Sequence, residues 1–177
     1  MNDSISSVVQ GQLGHGYVNN LSILTRVEGL IGHFVSQGAC GDDHTVVLTS
    51  HGCMWTFGSN AIGKTGHGIT DGHQCTPKNV KGGFTTGPSK KVVFIAAGNH
   101  HSACTVDGST YAWGKGRYSR LGHGDVTNCS SPKLVVNGLV GKKAKRIVSH
   151  SCTNRGWQGI QFWWWGIRPT WTWQPKG

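Results

Sequence analysis

Short apolar runs separated by glycine-containing turns fill most of the chain between residues 40 and 150. The runs HTVVLT (44–49), CMWTFG (53–58) and KKVVFIAA (90–97) are rich in β-branched and aromatic side chains, which is typical of β-strands. The turns S-H-G at 50–52 and D-G-S at 107–109 suit tight hairpins, because glycine accepts the positive φ that such turns require. The pattern therefore predicts an all-β protein of short antiparallel strands.

Composition agrees with this fold class. The 28 glycines among 177 residues disfavour helices, and the apolar content is too high for a disordered chain. No apolar segment approaches the roughly 20 residues that a membrane-spanning helix needs, and the first residues lack a secretory signal pattern. These features predict a protein of the cytoplasm or nucleus without a membrane partner.

One sequence unit recurs along the chain. G-x-x-G-H-G occurs as GQLGHG at 11–16 and GKTGHG at 63–68, and SRLGHG at 119–124 lacks only the first glycine. WTFG (55–58) and YAWG (111–114) precede the last two copies, and CGDDHTVVLT (40–49) and AGNHHSACT (97–105) lie farther upstream. The period of about 50 to 57 residues is in the range of propeller blades.

Residues 40–68 follow the pattern CG-x-x-HT-x-x-LT-x-x-G-x-x-x-x-FG-x-N-x-x-G-x-x-G-H-G and resemble the regulator-of-chromosome-condensation repeat family. The resemblance covers about 11–150 and implies a β-propeller of about seven four-stranded antiparallel blades. It divides the chain into half of a truncated repeat (1–38), two complete repeats (39–96 and 97–149) and an aberrant tail (150–177). This number of repeats is too small to close a ring. We therefore expect a partial propeller that exposes apolar edges and needs further repeats or self-association.

The resemblance also implies a partner-binding face. In a family member that exchanges nucleotide on the small GTPase Ran, acidic and polar residues of the G-x-x-H loops contact the GTPase. The matching positions, which we expect to converge on one face of the propeller, are Asp42, Asp43, His44, Asn99, His100 and His101. An exchange-factor role is disfavoured by the lack of a long inserted wedge, the incomplete ring and the lack of a basic arm for chromatin before the repeats.

The charge of +10, from 17 Lys and Arg against 7 Asp and Glu, favours anionic partners such as nucleic acid, chromatin or an acidic protein face. Solubility alone is the alternative explanation. The densest basic run is Lys142, Lys143, Lys145 and Arg146, either a nuclear-import or phosphate-contacting patch or the solvated entry to a strand.

Cysteines and histidines invite a metal site, but their spacing argues against one. The six cysteines, at 40, 53, 75, 104, 129 and 152, form no C-x-x-C pair, and we expect buried, reduced thiols. His15, His67 and His123 recur at one repeat position, which indicates a structural role, and we expect His44 and His101 to hydrogen-bond within a strand turn. We predict no metal and no cofactor.

Residues 58–65, GSNAIGKT, satisfy the P-loop pattern G-x-x-x-x-G-K-[ST]. A phosphate-binding loop must lead into a helix, and the residues that follow, GHGITDGHQ, lack a helical apolar period. We therefore expect a propeller turn that matches the motif by chance.

The tail departs from the repeat, with six of the eight tryptophans in residues 152–176. The tryptophan codon TGG becomes a glycine codon when the reading frame moves by one base. Allowed codons for this segment, read one base later, can spell ALTEGGRVYSFGGGEYGQLGHGNPK, which restores a further repeat. We therefore interpret the tail as the product of a shifted frame that does not fold as a blade, in preference to an aromatic stacking platform or a membrane-interface anchor.

Catalysis needs a nucleophile with a base, or paired carboxylates, and the seven acidic residues offer no such arrangement. The sequence therefore predicts a protein-interaction scaffold rather than an enzyme. The alternative is a guanine-nucleotide exchange factor for a Ran-like small GTPase with chromatin association, in which Asp43→Ala is expected to abolish exchange and leave the fold intact.

Overall fold

A computed structural model describes residues 10–82, 84, 91–136, 144, 146–151 and 158–163, the last two ranges in their backbone only. The strands are β1 (Val35–Cys40), β2 (His44–Thr49), β3 (Met54–Ser59), β4 (His73–Asn79), β5 (Val92–Ala97), β6 (His101–Val106), β7 (Ser109–Gly114), β8 (Cys129–Leu134), β9 (Arg146–Ser151) and β10 (Gln158–Trp163). Short 3₁₀ turns cover Glu28–Leu30, Ala61–Gly63 and Arg117–Ser119.

The strands form two four-stranded antiparallel sheets in chain order, β1-β2-β3-β4 and β5-β6-β7-β8, and a separate β9-β10 pair. These two sheets are the first and second blades of an open, partial propeller, and the all-β prediction is confirmed. The predicted repeat boundaries after residues 38 and 96 fall inside β1 and β5, because each sequence unit begins at the motif where these strands end. That division into repeats stays a prediction.

Hairpin turns lie where glycine and aspartate predicted them. Between β6 and β7, Asp107 and Gly108 have φ of +51° and +81°, the pair of left-handed conformations that a two-residue type I′ turn requires. Gly52 has φ of +81° in the turn between β2 and β3. Local turn chemistry therefore sets the pairing of these strands.

The main core lies between the two blades. Val46, Leu48 and Met54 of the first blade pack in one cluster with Ile95 and Trp113 of the second. All six residues of β6 are buried. Both faces of a propeller strand lie against neighbouring sheets, so the apolar runs need not alternate as they would in a half-exposed sheet.

A side chain also joins the first strands of the two blades. Gln37 on β1 donates from Nε2 to the carbonyl of Ile95 on β5 at 2.9 Å, and its Oε1 accepts the Ile95 N–H at 3.2 Å. The amide thereby satisfies backbone groups of β5, which among the described strands has no hydrogen-bonded strand neighbour on that side.

The glycines of G-x-x-G-H-G lie at the boundary between neighbouring blades. A methyl group on Gly14 would lie 2.9 Å from the Phe57 ring, and one on Gly66 would lie 2.7 Å from Nε1 of Trp113. A side chain at either glycine would therefore collide with an aromatic ring of the following blade. The first two loops of this motif therefore each pack against the blade that follows them, an arrangement we call the clasp.

The first blade leaves apolar side chains uncovered, as expected for an incomplete ring. Ile23 and Phe34 are each 75% exposed, and Leu24 is fully exposed. They belong to the segment before and at the start of β1, where a preceding blade would lie in a complete propeller.

The cysteines were expected to be buried, but within the described residues only Cys104 is; Cys40 and Cys53 are exposed, and Cys75 and Cys129 are partly exposed. Exposure of Cys40 follows from its place at the end of an edge strand, and that of Cys53 from its hairpin turn. In the tail, residues 158–163 form β10, and the rest of 152–177 lies outside the described residues.

Candidate partner-binding face

The G-x-x-H loops of the two blades lie side by side. These loops, residues 41–43 and 98–100, follow β1 and β5, and the amide nitrogen of Asp42 lies 3.4 Å from the carbonyl oxygen of Asn99. A methyl group on Gly41 would lie 2.6 Å from the carbonyl oxygen of Gly98. The predicted convergence of these loops is confirmed, and they define what we call the loop face.

Burial separates the six predicted contact residues into two groups. Asp42 is exposed, and Asp43, Asn99 and His100 are partly exposed. His44 and His101 are each only 1% exposed. The neighbouring strands cover these two imidazoles, so a partner on the loop face would meet the other four residues first.

His44 instead joins the blades, which corrects the expected bond within its own turn. Its Nε2 lies 2.8 Å from Oγ of Ser102 on β6, and Ser102 donates its own proton to the carbonyl of Lys64 at 3.0 Å. Because the serine proton is used in that way, Nε2 of His44 must carry a hydrogen and donate it. The second blade therefore makes Nε2 of His44 a hydrogen-bond donor.

The Lys64 side chain lies inward rather than toward solvent. Its ammonium is 2.6 and 2.5 Å from the two carboxylate oxygens of Asp43, and the side chains are 3% and 18% exposed. The carbonyl of Lys64 accepts hydrogen bonds from Ser102 and from Nε1 of Trp113 at 2.9 Å. One residue thus holds the loop face of its own blade and anchors the next blade.

This pairing controls the protonation of Asp43. Burial alone would raise the pKa of Asp43, but the neighbouring His44 and Lys64 outweigh that effect and lower it to about 2. Nδ1 of His44 is 3.8 Å away, too far for a hydrogen bond, so the ammonium is the direct partner. Asp43 is therefore a structural carboxylate, and we now expect Asp43→Ala to destabilise the fold, because it would leave a buried ammonium without its partner.

The residues 58–65 that match the P-loop pattern form a turn. β3 leads into the 3₁₀ turn Ala61–Gly63, and the chain then reaches β4 without an α-helix. With its ammonium held by Asp43, Lys64 does not point to a phosphate site.

The histidines of the second and third G-H-G turns bond back to their own blades. Nε2 of His67 lies 3.0 Å from Oγ1 of Thr56, and Nε2 of His123 lies 3.1 Å from the carbonyl oxygen of Ala112. Burial and the charge of Lys78 lower the pKa of His67 to about 4, so the ring is neutral near pH 7. Within the described part of the chain, no three His, Cys, Asp or Glu side chains gather around a common metal position.

Positive charge borders the loop face on the second blade. The amide of Lys115 donates to the carbonyl of His100 at 2.9 Å. Burial, together with the charge of Lys115, lowers the pKa of His100, which keeps its ring neutral near pH 7. The predicted basic patch falls largely outside the described residues. Lys142, Lys143 and Lys145 are not among them, and Arg146 is described only in its backbone, as the first residue of β9.

Sequence reasoning missed the Lys64–Asp43 pair and the Gln37 bridge. Neither feature recurs in the other repeats. Gln12 and Arg120 occupy the position equivalent to Lys64, and Phe94 occupies the position equivalent to Gln37. The opposite charges of Lys64 and Asp43 are visible in the sequence, but the two residues lie 21 positions apart and only the fold brings them together.

These blades and their clasping loops define a partial β-propeller built from repeats. The repeat family described as "Regulator of chromosome condensation (RCC1) repeat" matches residues 9–48, 51–105 and 107–155, and a second version of the same repeat matches 35–63. The chain belongs to this repeat family.

Relatives with known names are much longer proteins. The chain is 34% identical over 148 residues to the human E3 ubiquitin-protein ligase HERC2, which covers 83% of this chain and 3% of that protein. It is 34% identical over 128 residues to the Ultraviolet-B receptor UVR8 of Arabidopsis thaliana, covering 72% of this chain and 28% of the receptor.

Solved structures share the fold. Human WBSCR16 superposes with a TM-score of 0.66 at 24% identity, covering 78% of this chain and 35% of that one. Prp20p from Saccharomyces cerevisiae superposes with a TM-score of 0.63 at 19% identity, covering 79% of this chain and 35% of that one. At these identities the likeness concerns the fold alone. No helix within the described ranges is long and apolar enough to cross a membrane.

Proposed function

We propose that this chain acts as a protein-interaction module of a repeat propeller, by binding rather than catalysis, and that its partner contacts the loop face. The observation that carries this proposal is the contrast between equivalent positions of the two blades. The buried histidine is the same in both, His44 and His101, whereas the more exposed positions before it differ. Packing fixes the first kind of position, and recognition uses the second kind.

The neighbours in structure support a protein partner. Prp20p has been characterised for its binding to Gsp1p and histones, and a further solved structure holds Kap60 bound to yeast RCC1 (Prp20). Their partners are properties of those proteins. These known partners favour binding as the mode of action of this fold. The described residues of the loop face also form no arrangement typical of catalysis.

The test places a photo-crosslinking amino acid at Asp42, with His51 in the β2–β3 turn at the other end of the sheet as the control position. The partner captured from Asp42 is identified by mass spectrometry and purified, and its affinity is measured by titration calorimetry. We expect Asp42→Arg to weaken binding at least tenfold, because a buried interface penalises a reversed charge, and His51→Arg to leave it unchanged. Equal capture from both positions, or no effect of Asp42→Arg, would contradict the proposal.

A second candidate is nucleotide exchange on a Ran-like small GTPase. It is favoured by the exposed carboxylate of Asp42 in a G-x-x-H loop, since the family resemblance assigns GTPase contacts to such loops. The assay is release of labelled GDP from a panel of small GTPases. Asp42→Ala, rather than Asp43→Ala, is the informative variant, and absence of acceleration across the panel excludes this candidate.

A further inference from the structure

Each blade holds one buried cation at the same repeat position, Lys64 in the first and Arg120 in the second. In the first blade, Asp43 of the G-x-x-H loop supplies the carboxylate at 2.5 and 2.6 Å. In the second blade, His100 stands at the position of Asp43. The second blade therefore keeps the cation and lacks the carboxylate that neutralises it.

No acidic side chain of the described chain replaces it. Arg120 is 4% exposed, and its Nε donates to the carbonyl of Arg117 at 2.9 Å. Within the described residues its guanidinium forms no ion pair; the carboxylates that do so belong to Asp43 and Asp125. A mostly buried cation without a counter-charge is costly, so a bound anion there would stabilise the protein.

The surroundings of Arg120 add charge and an aromatic surface. Arg117 and Tyr118 are exposed, and Cζ of Arg117 and of Arg120 lie 4.9 and 5.8 Å from the centre of the Tyr118 ring. Lys115 begins the same loop and is bonded to His100 on the loop face. We call Lys115, Arg117, Tyr118 and Arg120 the arginine cluster.

We infer that the arginine cluster binds an acidic segment of the partner polypeptide, one carboxylate of which pairs with Arg120 as Asp43 pairs with Lys64. This inference rests on the proposed binding function and names the chemistry of the partner. A guanidinium can give a carboxylate two parallel N–H···O bonds, and the exposed ring of Tyr118 offers apolar cover beside them. A phosphate group would satisfy the same donors, so the experiment separates the two sources.

The probe is a fluorescein-labelled peptide of eight glutamates, titrated into the full chain and followed by fluorescence anisotropy. We expect saturable binding, and a loss of about tenfold or more in affinity for Arg117→Gln and for Arg120→Gln, since each removes a charge-assisted hydrogen-bond donor. The control is Lys91→Gln, which removes one positive charge from an exposed residue at the opposite end of β5 and should change affinity less than twofold.

A reciprocal variant guards against effects of misfolding. His100→Asp places a carboxylate at the repeat position that Asp43 holds in the first blade, so we expect it to weaken probe binding while raising the melting temperature. Unchanged binding in His100→Asp, or an equal loss in Lys91→Gln, would overturn the inference. Tighter, arginine-dependent binding of inorganic phosphate or a 12-nucleotide single-stranded DNA than of the peptide would overturn the assignment to an acidic polypeptide.

The two proposals fail in distinguishable ways. If the octaglutamate probe does not bind but the partner crosslinked at Asp42 is still released by Asp42→Arg, the loop face binds a partner and the arginine cluster does not. If neither position captures a partner while the probe binds with the expected arginine dependence, the cluster is an anion site and the proposed partner face is wrong.

Discussion

At the scale of single residues, the same residue type has different structural roles at different positions of the repeat. His44 is a donor between blades, whereas His67 folds back onto Thr56 of its own blade. Lys64 fits a nucleotide-binding pattern by its letters, yet it forms a structural ion pair. The type of a residue limits its chemistry, and the neighbours that the fold supplies select which part of that chemistry is used.

The glycine of G-H-G provides a prediction with an internal control. Gly66 and Gly72 have φ of +81° and +70°, but only Gly66 would direct a methyl group against Trp113, while Gly72 has open space. We expect Gly72→Ala to lower the free energy of unfolding by about 1–2 kcal/mol, the cost of a left-handed alanine. Gly66→Ala should cost about 1–3 kcal/mol more because of the collision. Urea unfolding of both variants measures the difference, and equal losses would contradict the clasp between blades.

The Asp43–Lys64 pair predicts a pH dependence. The folded-state pKa of Asp43, about 2, lies below its ordinary value of 3.8, so the ionised carboxylate stabilises the fold above about pH 4. This contribution, about 2 kcal/mol, should be lost as the pH falls from about 4 to about 2. Urea midpoints measured across that range should converge for the natural chain and Asp43→Asn at the acid end. A constant difference between them at every pH would contradict the assignment.

At the scale of elements, the sheets follow from local signals, but their association does not. The turn at 107–108 and the apolar runs on either side fix one hairpin within a stretch of 14 residues, 101–114. The core, by contrast, joins Val46 and Leu48 to Ile95 and Trp113 across separate sheets. Few of these contacts are local, so the blades stabilise each other rather than folding as independent units.

The amide bridge between β1 and β5 tests this coupling. We expect Gln37→Ala to speed hydrogen exchange at the Ile95 amide, because that N–H loses its acceptor at 3.2 Å, and to destabilise the chain by about 1 kcal/mol. Gln74→Ala is the matched control, since the Gln74 amide bonds only to Thr76 of its own strand. Protection of Ile95 that is equal in both variants would show that the bridge does not hold the blades.

At the scale of the whole molecule, the chain is an open arc of a propeller. Two four-stranded blades, a leading clasp loop and the β9–β10 pair are described, and apolar residues such as Phe34 remain uncovered at the leading side. A surface of this kind is covered by another blade in a ring. The activities of HERC2 and UVR8 belong to proteins of which this chain matches only 3% and 28%.

The tail gives a prediction about the coding sequence at this scale. We expect the messenger RNA around codon 150 to encode a further repeat after a shift of one base, with glycines in place of the six tail tryptophans. Sequencing of the transcript, together with mass spectrometry of tryptic peptides from the natural protein, tests this prediction. Detection of a peptide containing the WWW segment, together with a transcript in which no single-base shift restores GQLGHG, would show that the tail is natural.

The sequence by itself determined the strands, the hairpin turns, the repeat and the family, because these depend on local backbone preferences and on a periodic pattern. It also named the loops that meet on one face, since a repeated unit places the same loop at the same end of each blade. Only the tertiary structure decided which residues of those loops are available. In the folded chain His44 and His101 are buried, Asp43 forms an ion pair with Lys64, and Arg120 has no carboxylate partner among the described residues. Those outcomes depend on contacts between sheets, where distances of a few ångströms separate a structural ion pair from a binding site.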